Sequence, residues 1–381
     1  MLTFIIRFRI KQQYDANALV MLTKSPVLQE TSPKDETGRL SQASDVCSTL
    51  TYNRTWPPPG RRHQQLPIYY CRMPKVASTF LDGFLPNVFQ SPMIMSNAKL
   101  EAHHNTTQTS GTFTFVFVRD PYARLLSAYE NKLFLPNSFW RQIGIVIIKT
   151  VRKSLTSLDT GHDVTFSEML RYVVTLYRKP GVVLNPHLVP MHEMCNPCAV
   201  DFDFIGKLET MGSDLQVLMD SWHNAGYINK SIGEKVLARS KSSLGFGPVT
   251  KLFTESRRHN KLNKSDLFLR TWASYQIRGL ILKQFKMPFT ATLEAVREHQ
   301  YRDAVKKAWE QSKDRKEELK TQREEALVQA YQTVPLDLMQ ELRTFVKRDC
   351  QLYGYDDMPD KLFSINITST NSFNYFKGLS I

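Results

Sequence analysis

Thr112-Phe113-Thr114-Phe115-Val116-Phe117-Val118-Arg119-Asp120-Pro121 is the stretch on which the fold turns. Phe113, Phe115 and Phe117 alternate with Thr114, Val116 and Val118, so neither face is truly polar. Such a run predicts a strand buried on both faces, as in a parallel sheet. It breaks at Arg119-Asp120-Pro121, and Tyr122–Lys132 then reads as a helix with proline in its first turn.

Outward from there the pattern repeats. Upstream, Leu66–Cys71 is a short β-like run that breaks at Met73-Pro74, and the apolar stretch Thr79–Phe89 opens a helix. Downstream, Phe166, Leu170, Val173, Val174 and Tyr177 have helical spacing, Phe202–Leu208 reads as a strand, and Asp214–His223 as a helix. Strands alternating with helices predict an α/β domain with a central, mainly parallel sheet. Residues 1–65 read as a poorly ordered lead-in or stem, and 66–381 as the domain. Residues 292–330 are highly charged and free of Pro and Gly, with i,i+4 pairs such as Glu298–Arg302 and Asp303–Lys307. They predict a solvent-exposed helix.

The 381 residues suffice for one large domain or two small ones. With 22 Phe, 15 Tyr and 5 Trp the chain is not wholly disordered, and five cysteines are too few for a disulfide scaffold. A formal charge of +14 implies a polyanionic partner: nucleic acid, an acidic membrane surface or an acidic polysaccharide. Much of the excess lies in residues 230–286, which hold 13 basic and 3 acidic side chains. There Arg257, Arg258, Lys261 and Lys264 are interleaved with Phe253, Phe268, Trp272 and Tyr275, giving either a solvated surface or a docking strip for a polyanion. The opening Met1–Ile6 run meets Arg7, Arg9 and Lys11, too soon for a membrane span or a secretory leader. Five N-x-[ST] sequons, at Asn53, Asn105, Asn229, Asn263 and Asn366, instead lean towards a secretory lumen.

Two strand-to-helix turns carry the chemistry. The first is Pro74-Lys75-Val76-Ala77-Ser78-Thr79-Phe80, where backbone N–H groups and a helix N-terminus can face a phosphate while Lys75, Ser78 and Thr79 add charge and hydroxyls. The glycines of a Walker A loop are absent. The second is Arg119-Asp120-Pro121-Tyr122-Ala123-Arg124-Leu125-Leu126-Ser127. Arg119 stands at the carboxyl end of the strand, where open α/β sheets bind ligands, and Ser127 lies two helical turns on. Two anion sites, each after a strand, suggest a nucleotide phosphorylated at two places.

This pair of motifs resembles the nucleotide signatures of sulfotransferases that use 3′-phosphoadenosine 5′-phosphosulfate (PAPS). The likeness is greatest to the Golgi carbohydrate sulfotransferases of the HNK-1, chondroitin 4-O and N-acetylgalactosamine (GalNAc) 4-O type. Pro74 to Thr79 resembles their 5′-phosphosulfate loop, and Arg119 to Ser127, continuing to Lys132, their 3′-phosphate motif. Further matches are Asn185–Pro190, Cys195-Asn196-Pro197-Cys198, Asp203–Thr210 and Leu352-Tyr353-Gly354-Tyr355. Ser78 stands where the family often has Cys, and the Trp that often follows the Thr is absent.

The resemblance implies a P-loop-like three-layer domain, here with an extra charged helical insertion within about 230–330. It implies sulfuryl transfer from PAPS, without a metal, to a hydroxyl of an acidic or GalNAc-containing glycan. It also implies a Golgi-lumenal, type II membrane setting, although no anchor is legible in the sequence. Lys75 would serve the leaving group, Arg119 and Ser127 the 3′-phosphate, and Arg124 is either a second phosphate contact or a surface residue. His187, inside a matched segment, is the candidate general base. His103 and His104 read as surface residues. Cys195 and Cys198 read as disulfide partners, of each other or of Cys47, Cys71 and Cys350. The competing readings are a non-catalytic polyanion-binding module with decayed nucleotide loops and a P-loop NTPase, the latter weakened by the missing Walker glycines. Nucleic acid is not an expected partner.

Overall fold

A computed structural model describes residues 38–49, 60–96, 111–152, 157–241, 244–289, 293–364 and 373–376. His103, His104 and the sequons at Asn53, Asn105 and Asn366 lie outside these residues. The phenylalanine-rich run forms strand β4 (Phe113–Val118), every residue of which is buried. It lies in a five-stranded sheet with β1 (Gly60–His63), β2 (Ile68–Cys71), β3 (Met93–Ser96) and β5 (Phe204–Lys207), in the order β3-β1-β2-β4-β5. The functional half, β2-β4-β5, is parallel, while β1 runs antiparallel to both β2 and β3.

The period-2 geometry of β4 divides the core. Phe113, Phe115 and Phe117 join Tyr70 of β2 on one face and pack against α2 (Ser78–Phe89) and Leu215, Leu218, Met219 and Trp222. Val116 and Val118 face the other way, towards Tyr69, Cys71, Met191, Leu352 and Tyr353. The sheet is thus the middle of three layers. Gly206 in β5 is required by this packing, since a Cβ there would lie 2.4 Å from the Phe117 ring.

Chain order sets the rest. Helix α1 (Arg39–Ser48) precedes the sheet and α3 (Pro121–Tyr129) follows β4. Asp120 caps α3 by accepting from Ala123 N at 2.7 Å, and Pro121 occupies the first turn. The expected helix to Lys132 instead changes pitch, because Glu130–Phe134 forms a π-helical turn. Helix α4 (Phe166–Tyr177) opens with a capping box between Thr165 and Glu168. Next come α5 (Met211–Asn224), α6 (Lys230–Lys241), α7 (Gly247–Arg258), α8 (Lys264–Ile277), α9 (Glu298–Glu310), α10 (Lys316–Gln332) and α11 (Leu336–Tyr353).

Two expectations change here. The charged stretch 292–330 does not project into solvent. It forms α9 and α10, which bury Tyr301, Val305 and Ala308, and Leu319, Ala326, Leu327, Ala330 and Tyr331. In α9 the charges keep to one side, and in α10 the buried positions recur at helical spacing between charged ones, so a charged composition conceals the residues that pack inward. In the basic strip, Phe268, Trp272 and Tyr275 are core residues rather than a stacking surface, and Arg258 pairs with Glu255 at 2.8 Å. The apolar rings are drawn into the second helical core by burial alone.

Segments read as a lead-in are also tied to the domain. The strand β1 pairs on both edges, and α1 is held by a Cys47–Cys198 disulfide. A second disulfide, Cys71–Cys195, joins the end of β2 to the segment beneath it, and Cys350 is a buried free thiol. Among the described residues no helix is long and apolar enough to cross a membrane. Non-reducing peptide mapping should return these two pairs, and replacing Cys71 and Cys195 with serine should lower unfolding free energy by about 2–5 kcal/mol. An unchanged denaturation midpoint would contradict the pairing.

Candidate active site

The first turn begins where β2 ends. Arg72 makes a two-pronged ion pair with Asp82 of α2, with contacts of 2.7–3.0 Å that brace both sides of the loop. Between them Lys75 and Ala77 adopt left-handed conformations, with φ of 72° and 61°. For residues with a Cβ that conformation is strained by about 1–3 kcal/mol each, and such strain collects at functional loops. Alternate left-handed residues turn successive N–H groups towards one side, the geometry of an anion nest. Ala77 offers no capping side chain, so the first-turn N–H groups of α2 are left to the same opening. Pro74 and Val76 are buried supports, Ser78 is nearly buried, Thr79 is exposed, and Phe80 stacks on Phe84.

The second turn meets the first. Arg119, leaving β4, donates from Nη1 to Lys75 O at 3.4 Å. Five residues on, Arg124 is 3% exposed, and its guanidinium donates to Pro74 O (3.2 Å), Val189 O (2.7 Å) and Pro186 O (3.4 Å). Arg124 is therefore a buried residue rather than a surface one. Its donors are committed to carbonyls that fix the loop and the His187 segment against α3. Ser127 lies one turn beyond Arg124 on the same helical face, half-buried. Tyr122, Leu125 and Leu126 belong to the helical core, where the Tyr122 hydroxyl donates to Asp357 O at 2.6 Å. Asp120 and Pro121 form the cap described above, Asp120 N donating to Glu209 Oε1 at 2.9 Å, and Ala123 is half-buried against the core.

Electrostatics gather around these turns. Burial above all, with Arg119, Lys132 and Arg278 adding repulsion and Glu130 opposing it, pulls the Lys75 amine down to about 7. Burial also lowers Lys132 to about 8, with Lys251 contributing. His187 donates from Nδ1 to Asn185 Oδ1 at 2.9 Å, the amide oxygen also accepting from His187 N, so its Nε2 is left as the lone-pair nitrogen. Its ring meets Phe139 edge-on, and Lys132 sits 3.9 Å above that same phenyl ring. Desolvation first, then Lys132, Lys75, Arg124 and Arg72, hold His187 down at about 3. The imidazole is therefore neutral, with its lone pair at Nε2.

The other matched segments form the scaffold of this site. Asp349 on α11 accepts from Met191 N, His192 N and His192 Nδ1 at 2.7–2.9 Å, securing the chain just after His187. The Tyr353 hydroxyl donates to Cys195 O, and the Tyr355 hydroxyl to Glu209, both at 2.9 Å. Gly354 ends α11 at φ 65°, the left-handed cap between those tyrosines. Several participants were not singled out from sequence. Glu130, Lys132 and Asn185 lay within quoted motifs without assigned roles, and Lys251 and Arg278 were submerged in a charge count. Among the described residues no group of three or more His, Cys, Asp or Glu is arranged to hold a metal ion.

Comparison with known proteins gives the same direction. The sulfotransferase family matches residues 61–289. Carbohydrate sulfotransferase 14 of Danio rerio is 31% identical over 242 residues, covering 58% of this chain and 61% of that protein. Carbohydrate sulfotransferase 11 of Mus musculus is 28% identical over 182 residues, covering 42% and 52%. Carbohydrate sulfotransferase 8 of Mus musculus is 34% identical over 119 residues, covering 30% and 28%. The chain thus spans about three fifths or less of the length of these relatives. No solved structure matches it. Selective methylation with ¹³C should reveal one lysine, Lys75, titrating near pH 7 and absent from Lys75→Arg, whereas a full set of lysines titrating above pH 9 would contradict the buried placement.

Proposed function

We propose that this chain, which belongs to the sulfotransferase family, transfers a sulfuryl group from PAPS to a hydroxyl of a glycan. The observation that carries the reading is the meeting of the two turns, with the Arg119 guanidinium 3.4 Å from Lys75 O. That contact supports reading the two turns as one site, as a nucleotide with phosphates at both ends would require. The residues fit such a donor on physical grounds. Lys75, Arg119 and Lys132 have no carboxylate within ion-pair distance among the described residues, while Arg39, Arg72, Arg152 and Arg302 elsewhere are paired. Half-buried cations without a carboxylate partner favour an anionic ligand.

The donor supplies the sulfuryl group and a stable bisphosphate leaving group. The loop N–H groups, Ser78 and Thr79 would hold its 5′ end, and Lys75 would offset the charge developing on the departing phosphate. Arg119 and Ser127 would hold the 3′-phosphate, which an adenosine 5′-phosphate lacks. His187 would take the proton of the acceptor hydroxyl at Nε2, with Asn185 fixing its tautomer. Its basicity would rise on donor binding, since the donor's charge offsets the lysines that now depress it. Arg124 acts through these groups, as the positioning residue that sets the distance between loop and base.

The acceptor would be a chondroitin or dermatan GalNAc, or a terminal GalNAc or glucuronyl residue. The setting would be the Golgi lumen, in a type II membrane protein. The two disulfides support an oxidising compartment, and the sequons at Asn229 and Asn263 lie on exposed residues.

Transfer of ³⁵S from labelled PAPS to a panel of chondroitin, dermatan, GalNAc-terminated and glucuronyl-terminated glycans tests the activity. Label in at least one acceptor is expected; no label, with no binding of adenosine 3′,5′-bisphosphate, would overturn the reading. In an active pair, His187→Gln should lower kcat by about 10²–10⁴ with bisphosphate affinity retained. It should also abolish the acid limb of the pH profile, because that limb is the protonation of Nε2. Arg119→Ala should weaken bisphosphate binding by about tenfold or more, the scale of a lost charged hydrogen bond.

A further inference from the structure

The chain between α3 and α4 twice abandons ordinary helical pitch. Glu130–Phe134 is one π-helical turn, closed by Leu135 N donating to Glu130 O at 2.9 Å, and Trp140–Gly144 is a second. Such turns are rare, and they collect at functional sites. Both are pinned here. The second is seated on Gly161, since an added Cβ on Gly144 would lie 2.3 Å from Gly161 O. The Trp140 indole donates from Nε1 to Leu133 O at 2.7 Å and so binds the second turn to the first. Asn137, 4% exposed, closes the link between them. Its Nδ2 donates to Asn131 O at 3.0 Å, while its Oδ1 accepts from Phe139 N at 3.2 Å. The backbone on either side of Phe139 is thereby tied to the turn that carries Lys132.

What this tie fixes in place is the Phe139 ring, half-buried against the helical core. The Lys132 ammonium lies 3.9 Å from its centroid, and the His187 ring crosses it at 79° with centroids 5.4 Å apart. A cation over a phenyl face and two rings set edge to face are both favourable contacts. Neither group is fixed without the phenyl ring. Asn185 holds His187 through Nδ1, a bond that selects the tautomer, whereas the tilt of the imidazole plane is set by what packs on it. The lysine side chain is long and flexible, and its ammonium takes a fixed place only where something holds it. We infer that Phe139 is a positioning residue, whose ring holds the Lys132 ammonium and the His187 imidazole at a set distance from one another. This rests on the proposed reaction, in which His187 takes the acceptor's proton at Nε2. An ammonium carries three donors and no acceptor, so a lysine free to reach Nε2 would occupy the lone pair that the reaction needs. On the phenyl face its charge stays beside the base, where it is foremost among the charges that depress His187, and the lone pair stays open.

The test separates positioning from structural support, using the full chain throughout. After ¹³C dimethylation of the lysines, the Lys132 signal is identified by its absence from Lys132→Arg. The phenyl ring current should hold that signal upfield, so it should move downfield in Phe139→Leu and keep its place in Phe139→Tyr. With labelled PAPS and an acceptor that takes label, Phe139→Leu should lower kcat by about tenfold or more, the scale of a misplaced reacting group. Adenosine 3′,5′-bisphosphate affinity should stay within about twofold, and Phe139→Tyr should restore kcat to within about threefold. Because the ring acts through the base, adding Phe139→Leu to His187→Gln should cost less than about twofold more. An unmoved lysine signal or an unchanged kcat in Phe139→Leu overturns the inference. So does the full cost of Phe139→Leu in the His187→Gln background, which is what a merely structural role gives. Bisphosphate affinity lost in step with kcat also overturns it, by placing the ring in the donor site. An unaltered protein that neither transfers label nor binds bisphosphate is a separate result, which removes the proposed reaction and this role with it. Near-UV circular dichroism checks the fold of Phe139→Leu, and Phe139→Met makes the same comparison where leucine disturbs it.

Discussion

The buried guanidinium of Arg124 is the constraint on which the site depends. A charged group at 3% exposure is tolerated only when its donors are satisfied, and here they reach carbonyls of Pro74, Pro186 and Val189. Those carbonyls belong to the loop after β2 and to the segment bearing His187. One side chain from the first turns of α3 therefore fixes the loop, the helix of the second motif and the candidate base relative to one another. Arg270 plays the same part on the helical side, donating to the carbonyls of Leu133, Phe134 and His162. It holds the π-helical turn that presents Glu130 and Lys132. Two buried arginines, both bonded to backbone rather than to carboxylates, thus set the geometry of the cleft.

The legible part of this molecule was the part governed by local rules. β4 was readable because six residues in a row are apolar or β-branched, and α4 because its apolar spacing is regular and its capping box fixes its start. The two strand-to-helix turns were readable from the strands that end at Cys71 and Val118 and the helices that open after them. What misled was composition taken without packing. The charged run 292–330 hides two buried stripes, and the aromatic residues of the basic strip turn inward because burial outweighs any role they could serve at the surface. Arg124 shows the limit most clearly. Its sequence position left it either a phosphate contact or a surface residue, and only the carbonyls brought in from residue 74 and from residues 186–189 show it buried and bonded to backbone.

The charge excess acquires a structure in the same way. Many of the surface cations are answered by nearby carboxylates, as in the Arg302–Glu298 and Arg315–Glu318 pairs within single helices. Such exposed pairs contribute little stability, typically about 0–1 kcal/mol, and say little about function. The informative cations are those left unanswered beside the buried Glu130. Lys75 and Arg119 stand at the carboxyl ends of parallel strands, where open α/β sheets bind ligands.

The central claim is that the two turns form one site for a nucleotide carrying phosphate at both its 3′ and 5′ positions. Titration calorimetry of the full chain with adenosine 3′,5′-bisphosphate, adenosine 5′-phosphate and adenosine 3′-phosphate tests it most directly. The account predicts that the bisphosphate binds about 100-fold or more tightly than either monophosphate, because each lost phosphate abandons a separate set of charged donors. Equal affinity for the bisphosphate and one of the monophosphates would contradict it, by showing that only one of the two turns binds phosphate.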